Sequence, residues 1–228
     1  MILLHGYISA ALETWVRSGA AGRLQAAGRR LIMPDMRGHG DSAKPHEASA
    51  YPPDALTGDV RALIAHLGLT DYDLVGYSVG ARIAARLMAL GARPGRAVLG
   101  GTGLDPILHA AGRGETYRRL FAGLGTFAPG TPEARMQDYM ASIGADPIAL
   151  GRVLDTFVDT PREALARVEV PTLVIAGQDD TARGSVEKLA AALPRARLRR
   201  VPGDHLSALL GPQFRDEIAA FLAGHDSA

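Results

Sequence analysis

The chain has 228 residues, with 25 basic and 24 acidic side chains and a formal charge of +1. That length suits one sizeable core, or a core with a modest insertion, and the charge balance gives no electrostatic reason to expect nucleic acid or an anionic membrane as partner. Cysteine is absent, which excludes disulfides, thiolate nucleophiles and cysteine-bound metals and fits a cytoplasmic protein.

MILLHGY at the start carries no basic leader and too few apolar residues for a signal peptide; the chain opens inside a core strand, ILL at 2–4. A helix is expected over 11–27, then a strand, RRLIM, at 29–33, and a helix over 54–67. YDLV at 72–75 reads as a strand and 79–90 as a helix with Ile83, Ala84, Leu87 and Met88 on one face. RAVLG at 96–100 is the next strand. From about 105 to 167 no strand-like run occurs, and Gly/Pro breaks separate helical pieces such as ETYRRLFAGL and PEARMQDYMASI. Strands resume with TLVIA at 172–176 and RLRRV at 197–201, with helices over 185–193 and 212–223. RARLRR at 195–200 is the densest basic cluster and reads as a charged strand edge. No apolar run approaches the ~18 residues of a membrane span. Strands alternating with helices imply an α/β fold with a mostly parallel, doubly wound sheet. The expected core is 1–104 with 168–228, and 105–167 is expected to form a helical cap insertion.

LVGYSVGARIA at 74–84 places Ser78 between Gly76 and Gly80, where a strand gives way to a helix. A chain of this composition shows G-x-S-x-G by accident roughly one time in ten, so the context carries the argument. Strand, sharp turn and helix together form a nucleophile elbow: the turn exposes the hydroxyl, and the helix start aims N–H groups at any negative charge forming there. Serine needs a base to take its proton. Of seven histidines, His46, His66, His109 and His225 read as loop, surface or tail residues, and His5 and His39 lie in glycine-bounded turns. His205 follows the last strand, so it shares with Ser78 the carboxyl edge of the sheet, where ligands bind in open α/β sheets. Asp179 and Asp180, at the end of the penultimate strand, can orient that imidazole, and Asp105 competes from the same edge. An oxyanion would find two backbone N–H donors, at Val79 beside the serine and at Tyr7 in the turn after the first strand.

LLHGY, PDMRGHGDSAKP, GYSVG and the pair AGQDD and PGDH together resemble the α/β-hydrolase fold superfamily, in the style of its small serine esterases and C–C hydrolases with a helical cap. The resemblance is specific over 1–104 and 170–210 and generic in the insertion. It implies a Ser78, Asp180, His205 triad in that chain order, with family spacing favouring Asp180 over Asp179, and gives Asp35, Arg37, Gly38, Gly40 and Ser42 a structural role beside the site. Ser78 at the elbow argues against the subfamilies with an aspartate nucleophile, the haloalkane dehalogenases and epoxide hydrolases. Relatives usually carry a hairpin before the LLHG strand; without it the 29–33 strand is an unpaired edge, so either the start lies upstream or a homodimer protects that edge. GGTGLDP at 100–106 lacks a third glycine and runs into a proline, so it is not a dinucleotide fingerprint.

The expected activity is hydrolysis of a small carboxylic ester through an acyl-enzyme, with no cofactor or metal. The rivals are a C–C bond hydrolase or lyase acting on a dicarbonyl, and a non-catalytic ligand receptor on the same fold. Tyr117, Phe121, Phe127 and Tyr139 are candidate pocket residues for which helix packing competes, and Arg113, Arg118 and Arg119 are candidates for a substrate carboxylate against solvated helix faces.

Overall fold

A computed structural model describes residues 1–112, 114–181 and 184–224. Five parallel strands stand side by side in sequence order: β1 (Ile2–Leu4), β2 (Leu74–Tyr77), β3 (Ala97–Gly100), β4 (Thr172–Gly177) and β5 (Ala196–Val201). Register runs from Ile2 to Leu74, Ala97, Thr172 and Ala196 across the sheet. The first four strands are buried throughout, which is why they read as nearly continuous apolar runs. β5 is only partly buried and carries three arginines.

The strand expected over 29–33 is reduced to one bridge, Ile32 beside Ile2. β1 has three residues and offers that side two bonds, Leu3 N–H to the Ile32 carbonyl and Ile32 N–H to the Met1 carbonyl, both 2.9 Å. Pro34 then ends any pairing because it has no N–H to give. The chain thus steps to one side of β1 at Ile32 and returns to the other side at β2. The connection out of β1 and the connection out of β2 therefore run to opposite sides, an arrangement that in open α/β sheets puts ligand sites at the carboxyl ends of those strands.

Helices cover both faces. One carries α1 (Ala20–Ala26), α10 (His205–Leu210) and α11 (Pro212–Leu222), with Trp15, Val75, Tyr77, Val98 and Phe214 in its core. The other carries α2 (Ala55–His66), α3 (Val79–Ala89) and α9 (Val186–Ala192), packed on Leu4, Leu74, Leu99 and Val174. Neighbouring strand residues therefore divide between the two cores, as the pleat requires. The helix expected over 11–27 is two pieces, a π-helical turn at Leu12–Val16 and α1, separated by Gly19 at φ 77°.

Between β3 and β4 lie α4 (Asp105–Leu108), α5 (Glu115–Ala122), α6 (Pro132–Ser142), α7 (Pro147–Asp155) and α8 (Arg162–Leu165). Two of the breaks read from the sequence are helix starts. Thr131 caps α6 through Ala134 N–H, Asp146 caps α7 through Ile148 and Ala149 N–H, and proline takes the first helical position in both. Leu120, Met140 and Leu150 from these helices bury against Ile8 of the loop after β1. Among the described residues no helix is long and apolar enough to cross a membrane.

Candidate active site

Ser78 stands between β2 and α3 with φ 54° and ψ −111°, a left-handed-side conformation that costs a non-glycine residue of order 1–3 kcal/mol. Its N–H is held by the Gly100 carbonyl at 2.8 Å. The flanking glycines are close-approach residues. A Cβ on Gly76 would lie 2.3 Å from the Gly80 carbonyl oxygen, and one on Gly80 would lie 2.1 Å from the Leu4 oxygen and 2.7 Å from the His5 oxygen. Gly6 in turn lets the loop after β1 reach the serine, its would-be Cβ being 3.6 Å from Ser78 Cβ. Backbone from two strands thus converges on one hydroxyl.

His205 opens α10, whose start is fixed by a capping box between Asp204 and Ser207. The loop before it crosses the end of β4 because position 177 is glycine; a Cβ there would meet the Gly203 oxygen at 2.1 Å. His205 Nδ1 lies 2.7 Å from Asp180 Oδ2, with Asp180 almost wholly buried. An ionised carboxylate can only accept, so Nδ1 carries the proton and Nε2 keeps its lone pair. Asp179 is exposed, and Asp105 is the first residue of α4 without a bond to His205. Among the described residues Ser78 Oγ makes no hydrogen bond to His205; such contacts are often long before substrate binds.

The N–H groups of Tyr7 and Val79 have no acceptor among the described residues. Val79 is the first residue of α3, so its amide is one of the donors a helix start always leaves over. Tyr7 sits in the loop after β1. Its phenol donates to the Leu150 carbonyl at 2.7 Å, its ring meets Tyr117 edge-on at 4.8 Å, and burial pushes its pKa up. Ile8 beside it has φ 50°, a strained value for a β-branched residue. His5, wholly buried, accepts Met36 N–H at Nε2 (2.9 Å), so its Nδ1 donates to the Gly6 carbonyl at 2.8 Å. Burial holds His5 below its ordinary pKa, and His39, 5.0 Å from it edge-on, is pushed down to about 3 by burial and by the His5 ring. Both are neutral wedges under the Tyr7 loop, a buried role that their turn positions alone did not disclose.

Asp35 is a structural anchor: its carboxylate accepts Ala11 and Asp41 N–H, both at 2.8 Å. Burial raises its pKa, but those two bonds outweigh it and the net shift is downward. Arg37 forks onto Asp59 at 3.0 and 2.6 Å, and Ser42 donates to the Asp35 carbonyl. Tyr117 and Phe121 pack toward Tyr7, and Phe127 packs beside Gly123 in the same cluster. Tyr139 is 37% exposed. Arg118 and Arg119 pair with Asp155 and Glu115 at the surface, and Arg113 and His225 lie outside the described residues. His46 pairs with Asp146 at 2.7 Å, far along the chain from Ser78. Among the described residues no three His, Asp or Glu side chains converge to hold a metal ion.

A model of the alpha/beta hydrolase family matches residues 1–221. An epoxide hydrolase of Caballeronia sordidicola is 40% identical over 81 residues, 36% of this chain and 24% of its own length. The sn-1-specific diacylglycerol lipase ABHD11 of Mus musculus is 37% identical over 90 residues, 40% of this chain and 27% of its own length, so the matched stretches span about a quarter of either relative. Among solved structures, the esterase RhEst1 from Rhodococcus sp. ECU1013 superposes with a TM-score of 0.71 at 25% identity, covering 99% of this chain and 90% of its own. A bromoperoxidase from Bacillus anthracis gives 0.73 at 26% identity, covering 97% and 91%.

Proposed function

The chain belongs to the alpha/beta hydrolase family, and from that premise we propose that it is a serine hydrolase cleaving a small carboxylic ester. The observation that carries this reading is the 2.7 Å bond from His205 Nδ1 to buried Asp180, at the same sheet edge as a serine held on the far side of φ zero. Ser78 Oγ attacks the ester carbonyl while His205 Nε2 takes its proton. Asp180 keeps the imidazole in the required tautomer and stabilises the imidazolium that forms. The Tyr7 and Val79 amides receive the oxyanion, each donor contributing on the order of 3 kcal/mol. His205 then protonates the leaving alcohol, and a water, deprotonated by the same Nε2, releases the acid. Residues 105–167 act as a cap whose apolar side chains shape the acyl site, on a core formed by 1–104 and 168–228.

The test is covalent labelling with a fluorophosphonate, which reacts with an activated serine and leaves the phosphonyl group on Oγ. The wild-type chain should label and Ser78→Ala should not. Equal labelling of the two would overturn the proposal.

A further inference from the structure

We infer that Tyr77 is a positioning residue for the base, an assignment that rests on the proposed roles of Ser78 and His205. Tyr77 closes β2 immediately before the serine and is buried, with its side chain on the α10–α11 face of the sheet. Its hydroxyl donates to the backbone carbonyl of His205. Its ring lies against the imidazole, with centroids 5.2 Å apart and planes 34° from parallel. On another side Phe214 of α11 meets the ring edge-on at 5.4 Å and 84°.

Two glycines, the last residue of β3 and the one after it, explain why a tyrosine fits there. A Cβ on Gly100 would fall 2.8 Å from Tyr77 Cδ2, and one on Gly101 2.6 Å from Tyr77 Cζ. Gly100 and Gly101 thus leave the space through which the Tyr77 ring passes to reach His205 at the start of α10, after β5.

The physical need is geometric. The Asp180 bond fixes one atom of the imidazole and leaves the ring free to swing about it. Tyr77 fixes the main chain of the same residue and backs one face of the ring, so the imidazole is held at separate points. Because Tyr77 is the serine's own neighbour, the position of the base is referred to the position of the nucleophile. A displacement of about 1 Å between reacting groups costs on the order of a hundredfold in rate, so a partial loosening should cost about tenfold.

Tyr77→Phe removes the donor and keeps the ring. In hydrolysis of p-nitrophenyl acetate by the full chain, kcat should fall about tenfold while KM changes less than about twofold, the pattern of an interaction needed only in the transition state. The acid limb of the pH–rate profile should move as well, because the loosened imidazole sits differently against Asp180. Phe214→Leu, which leaves the hydroxyl but removes the ring's support, should shift kcat and the profile in the same direction by less. Unchanged kcat and pH profile in Tyr77→Phe would overturn the assignment. So would a fall in kcat that only tracks a lower melting temperature, with the profile in place. Activity surviving in Ser78→Ala would instead strike the underlying reading, whatever Tyr77→Phe does.

Discussion

His39 makes the protein sensitive to acid by an amount that can be worked out. The ring is enclosed between His5 and Tyr7, with centroids 5.0 and 5.8 Å away, and its Nδ1 faces the Arg37 carbonyl at 3.0 Å. Burial first, and the neighbouring His5 ring second, push its pKa down to about 3, against about 6.5 in an unfolded chain. Between those values the unfolded state binds a proton that the folded state refuses, so stability rises with pH across that window and falls on acidification. At pH 5 the gap is about one and a half pH units at about 1.36 kcal/mol each, so His39 alone removes about 2 kcal/mol relative to a pH well above 6.5. Urea unfolding at pH 7.5 and pH 5 measures this, with His39→Phe as the reference that has no proton to bind. The wild type should lose about 2 kcal/mol more than the variant between the two pH values; the cost of the lost Arg37 contact is present at both and cancels. An equal loss in the two proteins would refute the burial argument. His5, lowered by burial in the same way, adds to the slope in both and drops out of the comparison.

Two glycine substitutions should have opposite signs. Gly80→Ala would place a Cβ 2.1 Å from the Leu4 oxygen and should cost over ~3 kcal/mol or prevent folding, whereas Gly58→Ala, on the exposed side of α2 with nothing within 4 Å, should stabilise by about 0.5–1 kcal/mol in thermal or urea melts. Tyr7→Phe deletes the bond to the Leu150 carbonyl and should lower the unfolding free energy by about 1 kcal/mol; its backbone N–H is untouched, so fluorophosphonate labelling should persist.

The sheet was legible because four of its strands are buried on both faces and so are apolar at nearly every position. The 29–33 segment is apolar only at Leu31, Ile32 and Met33, and β1 is too short and Pro34 too near for more than the Ile32 bridge; a short apolar run is not enough, because a ladder also needs a partner of matching length. The proposed roles of Ser78, Asp180 and His205 rest on each following its own strand and on residue types that the chemistry demands. The preference for Asp180 over Asp179 is implied by the family resemblance, and the fold separates the two by burial, one enclosed on His205 and the other exposed. What could not be read are side chains whose partners lie far along the chain. Tyr7 was singled out for its amide, but its phenol reaches a carbonyl 143 residues away. Tyr77 was the x in a motif, and its hydroxyl spans 128 residues to His205. Local patterning carries no signal for such pairs.

The strain at the site indicates what the helices between β3 and β4 contribute. Ile8 and Ser78 both sit at positive φ, at 50° and 54°, each at a cost of order 1–3 kcal/mol. Ser78 is held by backbone, through the carbonyl of Gly100 at the end of β3 and the close approach of Gly6 in the loop after β1. Among the described residues Ile8 has no such backbone bond; it is held by its side chain, which buries against Leu120, Met140 and Leu150. Burying an isoleucine is worth about 1.5–3 kcal/mol, the same size as the strain it must offset. A glycine at position 8 would release the strain and also remove this apolar anchor, leaving the loop tied to the helices through Tyr7 alone. The Tyr7 amide is therefore set from two sides: by β1 through Gly6, and by α5 and α7 through Ile8, Tyr117 and the Leu150 carbonyl. Under the proposed mechanism, a change of sequence in those helices alters the oxyanion donor together with the shape of the acyl site, so substrate preference and turnover cannot vary independently in this fold.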